Sequence, residues 1–233
     1  MAKKLFLTAT STELGKTYVS GLMLKVMREA GRDIGYFKAA LSGADENGET
    51  DLSYAVRLAN SAEGKGLKPV EAVCPYIYKT AVSPHLAGKL ENNPVDMGVV
   101  LREYRTLAGK CDYVLIEGAG GAVCPIIDKG GDGKDITMLT DVINAVFAPA
   151  KPNAVVIAGC YLGTINVTLM TVEYLRSKGF GIKGIILNRY KGGVMEDNNI
   201  EMIKRLTGLA VIDVIKEGGG FNIGAAELEG LWV

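Results

Sequence analysis

Gly15-Lys16-Thr17 is the part of this chain best equipped for chemistry. An apolar run, Lys3-Lys4-Leu5-Phe6-Leu7-Thr8, and a polar turn from Ala9 to Leu14 precede it. An amphipathic stretch continues from it to about Ala30. Strand, loop and helix in that order make a phosphate-binding loop. A helix N-terminus leaves N–H groups free to face an anion. A lysine there bridges outer phosphates, and a threonine hydroxyl sits on magnesium. One position departs from the usual pattern: Thr10 stands five residues before Gly15, where a glycine is common. The other candidates are polar residues that follow apolar runs. Lys38 closes Gly35-Tyr36-Phe37, and Glu117 closes Tyr113-Val114-Leu115-Ile116 ahead of Gly118-Ala119-Gly120-Gly121. Asn188 closes Gly184-Ile185-Ile186-Leu187. Singly, each reads as a solvated loop residue. Three of them at strand ends, beside a phosphate loop, read as a site.

The elements that must position these residues alternate between strand and helix. A second strand covers residues 32–37 and ends at Lys38, and a Gly/Asp/Glu-rich loop runs from 42 to 50. A helix is expected over 51–60 with Thr50 or Asp51 near its cap, then a loop over 61–68 and an extended piece over 72–78. The pattern of 94–108 is helical, with Val95, Val99, Val100 and Tyr104 on one side. Strands follow at 113–117, 154–158, 182–187 and 209–214, separated by helices near 136–147, 164–177 and 195–206. Apolar strands without period-two alternation, interleaved with helices, imply a mostly parallel sheet covered on both faces. The expected class is α/β, one domain over residues 1–233, with ligands at the carboxyl ends of the strands. The Met and Tyr residues of the helices read as core.

Composition narrows the function. The formal net charge is zero, which argues against a nucleic-acid partner or an anionic membrane surface. No apolar run approaches the roughly 20 residues of a membrane span, and the N-terminus lacks a cleavable signal pattern. Cys74, Cys111, Cys124 and Cys160 are scattered without a C-x-x-C, and His85 is the one histidine. A zinc site is not expected, and reduced thiols in a cytoplasmic protein are.

Four groups of residues together carry a family resemblance. Thr12-Glu13-Leu14-Gly15-Lys16-Thr17, Gly35-Tyr36-Phe37-Lys38 with Ser42-Gly43, Ser83-Pro84-His85 and Glu117-Gly118-Ala119-Gly120-Gly121 are similar, in order and spacing, to dethiobiotin synthetases. Leu162-Gly163-Thr164-Ile165-Asn166 resembles the family's later Gly-x-x-Asn element. The phosphate loop alone is promiscuous, whereas the ordered set is specific. The resemblance implies a homodimeric, magnesium- and ATP-dependent ligase of biotin synthesis with a P-loop NTPase fold. Its substrates would be 7,8-diaminononanoate and CO2 or bicarbonate, joined through a carbamate and its phosphorylated anhydride.

Carried over by position, the resemblance makes Lys16, Lys38 and Thr12 the catalytic residues. Thr17, Asp51 and Glu117 become oxygen ligands of magnesium. ATP would touch Glu13, Leu14, Gly15, Lys16, Thr17, Tyr18, Asp51, Glu117, Gly118, Ala119 and Gly120, with Asn188 and Arg189 on the adenine side. Thr12, Ser42, Leu162, Gly163 and Asn166 would hold the diamine, the last three across a subunit boundary. Two residues stay open. His85 follows a proline-fixed turn that can equally hold a helix start, and Glu13 either touches the second subunit's substrate or shapes the turn.

The chain departs from the family pattern at three places. Ala9-Thr10-Ser11 replaces Gly-Thr-Asp, Ala39-Ala40 replaces Pro-Val, and Asp213–Gly218 lacks the proline of the usual purine loop. Base recognition is the part least anchored in these residues. Rival readings are a related amidoligase, a partitioning ATPase, or a nucleotide-dependent switch module. The partitioning type carries a lysine where Ser11 stands here, and a switch leaves Lys38 and Ser42 unexplained.

Overall fold

The computed structural model describes residues 2–45, 48–61, 66–130 and 135–232. Parts of the loops expected over 42–50 and 61–68 lie outside the described residues, as does residue 233. The strands are β1 (Lys3–Ala9), β2 (Ile34–Lys38), β3 (Leu41–Ser42), β4 (Glu71–Val73), β5 (Ile77–Tyr78), β6 (Tyr113–Glu117), β7 (Pro125–Asp128), β8 (Ile136–Met138), β9 (Asn153–Gly159), β10 (Gly181–Tyr190) and β11 (Val211–Lys216). The helices are α1 (Lys16–Glu29), α2 (Asp51–Asn60), α3 (Pro84–Leu90), α4 (Met97–Ala108), α5 (Leu139–Phe147), α6 (Thr164–Ser177), α7 (Val194–Thr207) and α8 (Ala225–Glu229).

Seven strands form one parallel sheet in the order β11-β10-β9-β1-β6-β2-β4. Apolar residues on both faces bury it, as the unbroken runs of β1, β6 and β9 require. One face packs under α4, α5 and α6 around Phe6, Ile116, Val156 and Leu187, the other under α1 around Leu5, Leu7, Leu115 and Ile157. Each fully buried Leu or Phe of this kind contributes roughly 1.5–3 kcal/mol. Helix α1 approaches α2 closely because Gly21 has no side chain. A Cβ there would lie 2.8 Å from Leu58 Cδ2. Helix α2 starts where the sequence indicates, with Thr50 as its cap: Ser53 N donates to Thr50 Oγ1 (3.1 Å), and Thr50 N to Ser53 Oγ (2.9 Å).

The structure corrects several boundaries. Residues 136–138 are not helical: they form β8, antiparallel to β7, and the helix begins at Leu139. The expected helix over 94–108 begins at Met97, because Asp96 caps it by accepting from Val99 N (3.0 Å). The extended piece over 72–78 divides into β4, on the main sheet, and β5, which pairs with β3 in a separate ribbon. Asn188 is not a strand end: β10 continues to Tyr190.

Candidate active site

Adjacent strands β2 and β6 end in register, with Lys38 opposite Glu117. Both side chains are buried, so neither charge can be left to water. Glu117 accepts four hydrogen bonds. Lys38 Nζ (2.9 Å) and Thr17 Oγ1 (3.1 Å) reach Oε1, while Ser20 Oγ (2.5 Å) and Tyr36 Oη (2.5 Å) reach Oε2. Lys38 Nζ also donates to Asp51 Oδ2 (3.0 Å) from the first turn of α2. The local geometry explains the convergence: Tyr36 and Lys38 share one face of a strand at i, i+2, and Thr17 and Ser20 share one face of a helix at i, i+3. Tyr36 and Ser20 went unrecognised at the sequence level. Their signal was that spacing, one hydroxyl beside each recognised residue.

The charges settle differently on the two lysines. Burial pulls the Lys38 pKa down, but Glu117 and Asp51 outweigh it, and the net is well above an ordinary lysine. Burial also lowers Lys16, and the like charge of Lys38 adds to that; Glu117 and Asp51 offset only part, leaving Lys16 below its ordinary value. The Lys16 ammonium has no acceptor among the described residues. For Asp51, burial works upward, yet Lys38 and Lys16 bring the net below the usual carboxylate value. Burial, then the Glu117 charge, pushes the Tyr36 phenol up.

Thr17, Asp51 and Glu117 offer oxygen only, and the Thr17 hydroxyl donates to Glu117 Oε1. Two carboxylates converging on one ammonium would also suit a hard divalent cation. No group of three or more His, Cys, Asp or Glu able to hold a metal occurs among the described residues. One hydroxyl and two carboxylates, all oxygen donors, fit magnesium, which keeps waters and takes phosphate oxygens alongside one or two carboxylates.

The phosphate loop is shaped by backbone. Glu13 (φ 60°) and Gly15 (φ 77°) are left-handed, and a Cβ at Gly15 would stand 2.5 Å from Asn188 Nδ2. Asn188, buried on β10, donates that Nδ2 to Leu14 O (2.9 Å), so it braces the loop. Thr10 N donates to Ile157 O (3.0 Å), while Thr10 Oγ1 is buried with no partner among the described residues. Gly118 N and Ala122 N donate to Leu7 O (2.9 Å) and Ala9 O (3.2 Å), laying 118–122 along the loop. A Cβ at Gly120 would contact Thr12 Cγ2 at 3.7 Å, so exposed Thr12 borders Gly120, with Ala119 beside it.

Arg189 is exposed and left-handed (φ 62°), beside a register shift between β10 and β11. Tyr18 Oη donates to Gly219 O (2.9 Å), tying α1 to the segment after β11. Asp213 fixes that segment by accepting from Asn222 N (2.9 Å) and Asn222 Nδ2 (2.7 Å). Glu196 accepts from Lys191 N (2.7 Å) and Gly192 N (3.0 Å). Asp213 and Glu196 are further supports that sequence reasoning missed.

Ser42 Oγ donates to Val82 O (2.5 Å), which docks the turn carrying Ser83-Pro84. His85 Nδ1 pairs with Ser83 Oγ (3.0 Å), and its ring borders a cavity of about 400 Å³ with Ile126 and Asp128, distinct from the Lys38 cluster. Pro84 does open a helix, α3. Leu162, Gly163 and Asn166 gather at the start of α6, all exposed. Helix α6 follows β9, three strand spacings from β2, or roughly 14 Å. Among the described residues, Lys38 hydrogen-bonds Asp51 and Glu117 and none of these three.

Residues 3–217 match a family model described as an AAA domain. The chain is 41% identical over 219 residues to the ATP-dependent dethiobiotin synthetase BioD of Brachyspira hyodysenteriae, covering 94% of each chain. It is 39% identical over 216 residues to that of Clostridium kluyveri, covering 93% of this chain and 86% of the other. Among solved structures, MinD of Pyrococcus horikoshii complexed with Mg-ADP superposes with a TM-score of 0.54 at 19% identity, over 93% of this chain and 82% of that one. The ParA family ATPase of Chlorobium tepidum gives 0.53 at 14%, over 93% and 84%. At such identities these two likenesses speak for the fold alone, that of P-loop NTPases.

Proposed function

The chain belongs to the dethiobiotin synthetase family, and from that premise we propose how its residues carry out the ATP-dependent ring closure of biotin biosynthesis. One amine of 7,8-diaminononanoate adds to CO2 and loses a proton, giving a carbamate. The γ-phosphoryl group of ATP passes to a carbamate oxygen and ADP departs. The second amine attacks the carbonyl carbon, phosphate leaves, and two C–N bonds close the cyclic urea. The barrier is electrostatic, because two anions must meet and charge must gather on the transferring group.

The observation that carries this reading is Lys38: a buried ammonium held within 3.0 Å of two carboxylates, beside the phosphate-loop lysine. Lys38 draws carbamate and γ-phosphate together, while Lys16, without an acceptor among the described residues, serves the phosphates. Thr17, Asp51 and Glu117 would hold magnesium, which when bound neutralises phosphate charge. Thr12 and Ser42 contact phosphate and diamine. The loop from Glu13 to Gly15, with Tyr18, Gly118, Ala119 and Gly120, encloses the phosphates. Asn188 and Arg189 flank the base. The enzyme works as one domain per chain in the cytoplasm; no helix among the described residues is long and apolar enough to cross a membrane.

Leu162, Gly163 and Asn166 hold the carboxylate tail of substrate bound to a second copy of the chain. Their separation from Lys38 supports this, as does the exposure of Leu162 (82%) in the turn before α6 and of Met170 (66%) on α6. A two-fold dimer then has two shared sites. ATP consumption measured with and without diamine and bicarbonate tests the reaction: it should depend on both, and indifference to the diamine would return the chain to the switch class. Mixing Lys38→Ala with Asn166→Asp subunits tests the sharing, with roughly a quarter of wild-type turnover expected after random exchange. No recovery after verified exchange would place each site within one chain.

A further inference from the structure

Glu117 uses its two oxygens unequally. Oε1 is shared by Lys38 and Thr17, the groups that face phosphate chemistry. Oε2 takes bonds from Ser20 and Tyr36, each 2.5 Å and inside the 2.5–2.7 Å range of a hydroxyl on a carboxylate. We propose that Tyr36 and Ser20 are positioning residues that clamp Oε2 and leave Oε1 as the single oxygen Glu117 presents to the metal.

Three observations support the assignment. First, a carboxylate oxygen offers about two acceptor sites, and on Oε2 both are taken. Second, the clamp cannot follow a departing carboxylate. Tyr36 and Ser20 are both wholly buried, one on central strand β2 and the other on α1 against the sheet. Third, the Oε1 partners can yield. The Thr17 hydroxyl can rotate, and Lys38 keeps Asp51 as a second acceptor at 3.0 Å. The terminal torsion of a glutamate is intrinsically broad, so an unclamped Glu117 could turn either oxygen, or both, toward a cation. Fixing it before the ion arrives removes that reorganisation. Second-sphere hydrogen bonds of this kind are typically worth about 10- to 100-fold in metal affinity.

The inference rests on Glu117 being a metal ligand, so the test includes that premise. Mn2+ is titrated, with a non-hydrolysable ATP analogue present, into wild type, Tyr36→Phe, Ser20→Ala, the double variant and Glu117→Gln, and free ion is read by electron paramagnetic resonance. Each single hydroxyl deletion should weaken Mn2+ by about tenfold and the double by up to about 100-fold. Analogue affinity measured in chelator should stay within about twofold of wild type, and kcat should largely recover at saturating Mg2+. That split separates a positioning role from core filling, which would lower thermal stability and leave Mn2+ affinity alone. Wild-type Mn2+ affinity in the hydroxyl variants, with a large loss in Glu117→Gln, overturns the clamp but keeps the ligand. Wild-type affinity in Glu117→Gln overturns both. If Tyr36→Phe does not fold, Ser20→Ala decides the matter alone, since it removes one of the two bonds.

Discussion

The residues proposed for the phosphates and those proposed for the base are held by different kinds of contact. On the proposed phosphate side, at the ends of β2 and β6, side chain meets side chain: Lys38, Glu117, Asp51, Thr17, Ser20 and Tyr36 form one charged network. It is buried at Lys38, Glu117, Ser20 and Tyr36 and open to solvent at Asp51. On the proposed base side, at β10 and β11, side chains mostly grip backbone, with Asn222 Nδ2 to Asp213 Oδ1 an exception. Asn188 holds Leu14 O, Tyr18 holds Gly219 O, and Glu196 holds two successive amides. Phosphoryl transfer needs charges fixed against one another in a dry place, because reorganising them during the reaction is costly. Recognition of a base needs only that loops be shaped, and backbone contacts shape loops whatever the loop's own side chains are.

The contrast is sharpest at Lys38. Lys38→Ala should lower turnover by roughly 10²–10³-fold while ATP affinity stays within about tenfold, or 1.4 kcal/mol. Single-turnover and equilibrium-binding measurements separate the two. A loss expressed wholly as weaker ATP binding would erase the distinction between the regions.

A smaller effect of the opposite character is expected at Asn188. Asn188→Ala leaves Leu14 O without its donor, and a neutral hydrogen bond is worth about 0.5–1.5 kcal/mol net. The KM for ATP should therefore rise by roughly two- to tenfold with kcat within about twofold. A fall in kcat at unchanged KM would show that the base side takes part in chemistry.

The smallest effect is a pH dependence confined to the phosphate side. Lys16 sits below its ordinary pKa and Lys38 above it. As pH rises toward 10.5, the ordinary lysine value, Lys16 loses its proton first and Lys38 stays charged. ATP affinity should thus begin to decline by a few-fold while pH is still below 10.5. In Lys38→Ala the decline should move to higher pH, because a like charge beside Lys16 is gone. Flat affinity up to pH 10.5 in wild type would contradict the burial of Lys16. The stability signs run separately. The raised Lys38 value contributes stability below pH 10.5 that is lost only as pH climbs through the higher folded value. The lowered Asp51 value contributes stability above 3.8 that is lost as pH falls through the lower folded value.

Elements built from local information were legible in the residues. Gly15-Lys16-Thr17 opens α1, Asp51 begins α2, and α6 spans the 164–177 read from its pattern, since caps and helical periodicity are written in neighbouring positions. Strand β8 was not legible, because residues 136–138 resemble the helix they precede until β7 pairs with them. The roles of Tyr36 and Ser20 were hidden for the same reason. A tyrosine in a buried strand and a serine in a helix show no task until Glu117 arrives, 81 and 97 residues away along the chain.

By itself the sequence determined the α/β class, the phosphate loop, and the placing of Lys38 and Glu117 at the ends of strands, because apolar runs and turn residues act over a few positions. Only the tertiary structure decided that β2 and β6 are neighbours in a register that sets Lys38 against Glu117. It also decided that Asn188 braces Leu14 instead of ending its strand. Strand order and register depend on how whole faces bury against one another, and no short window of residues contains that choice.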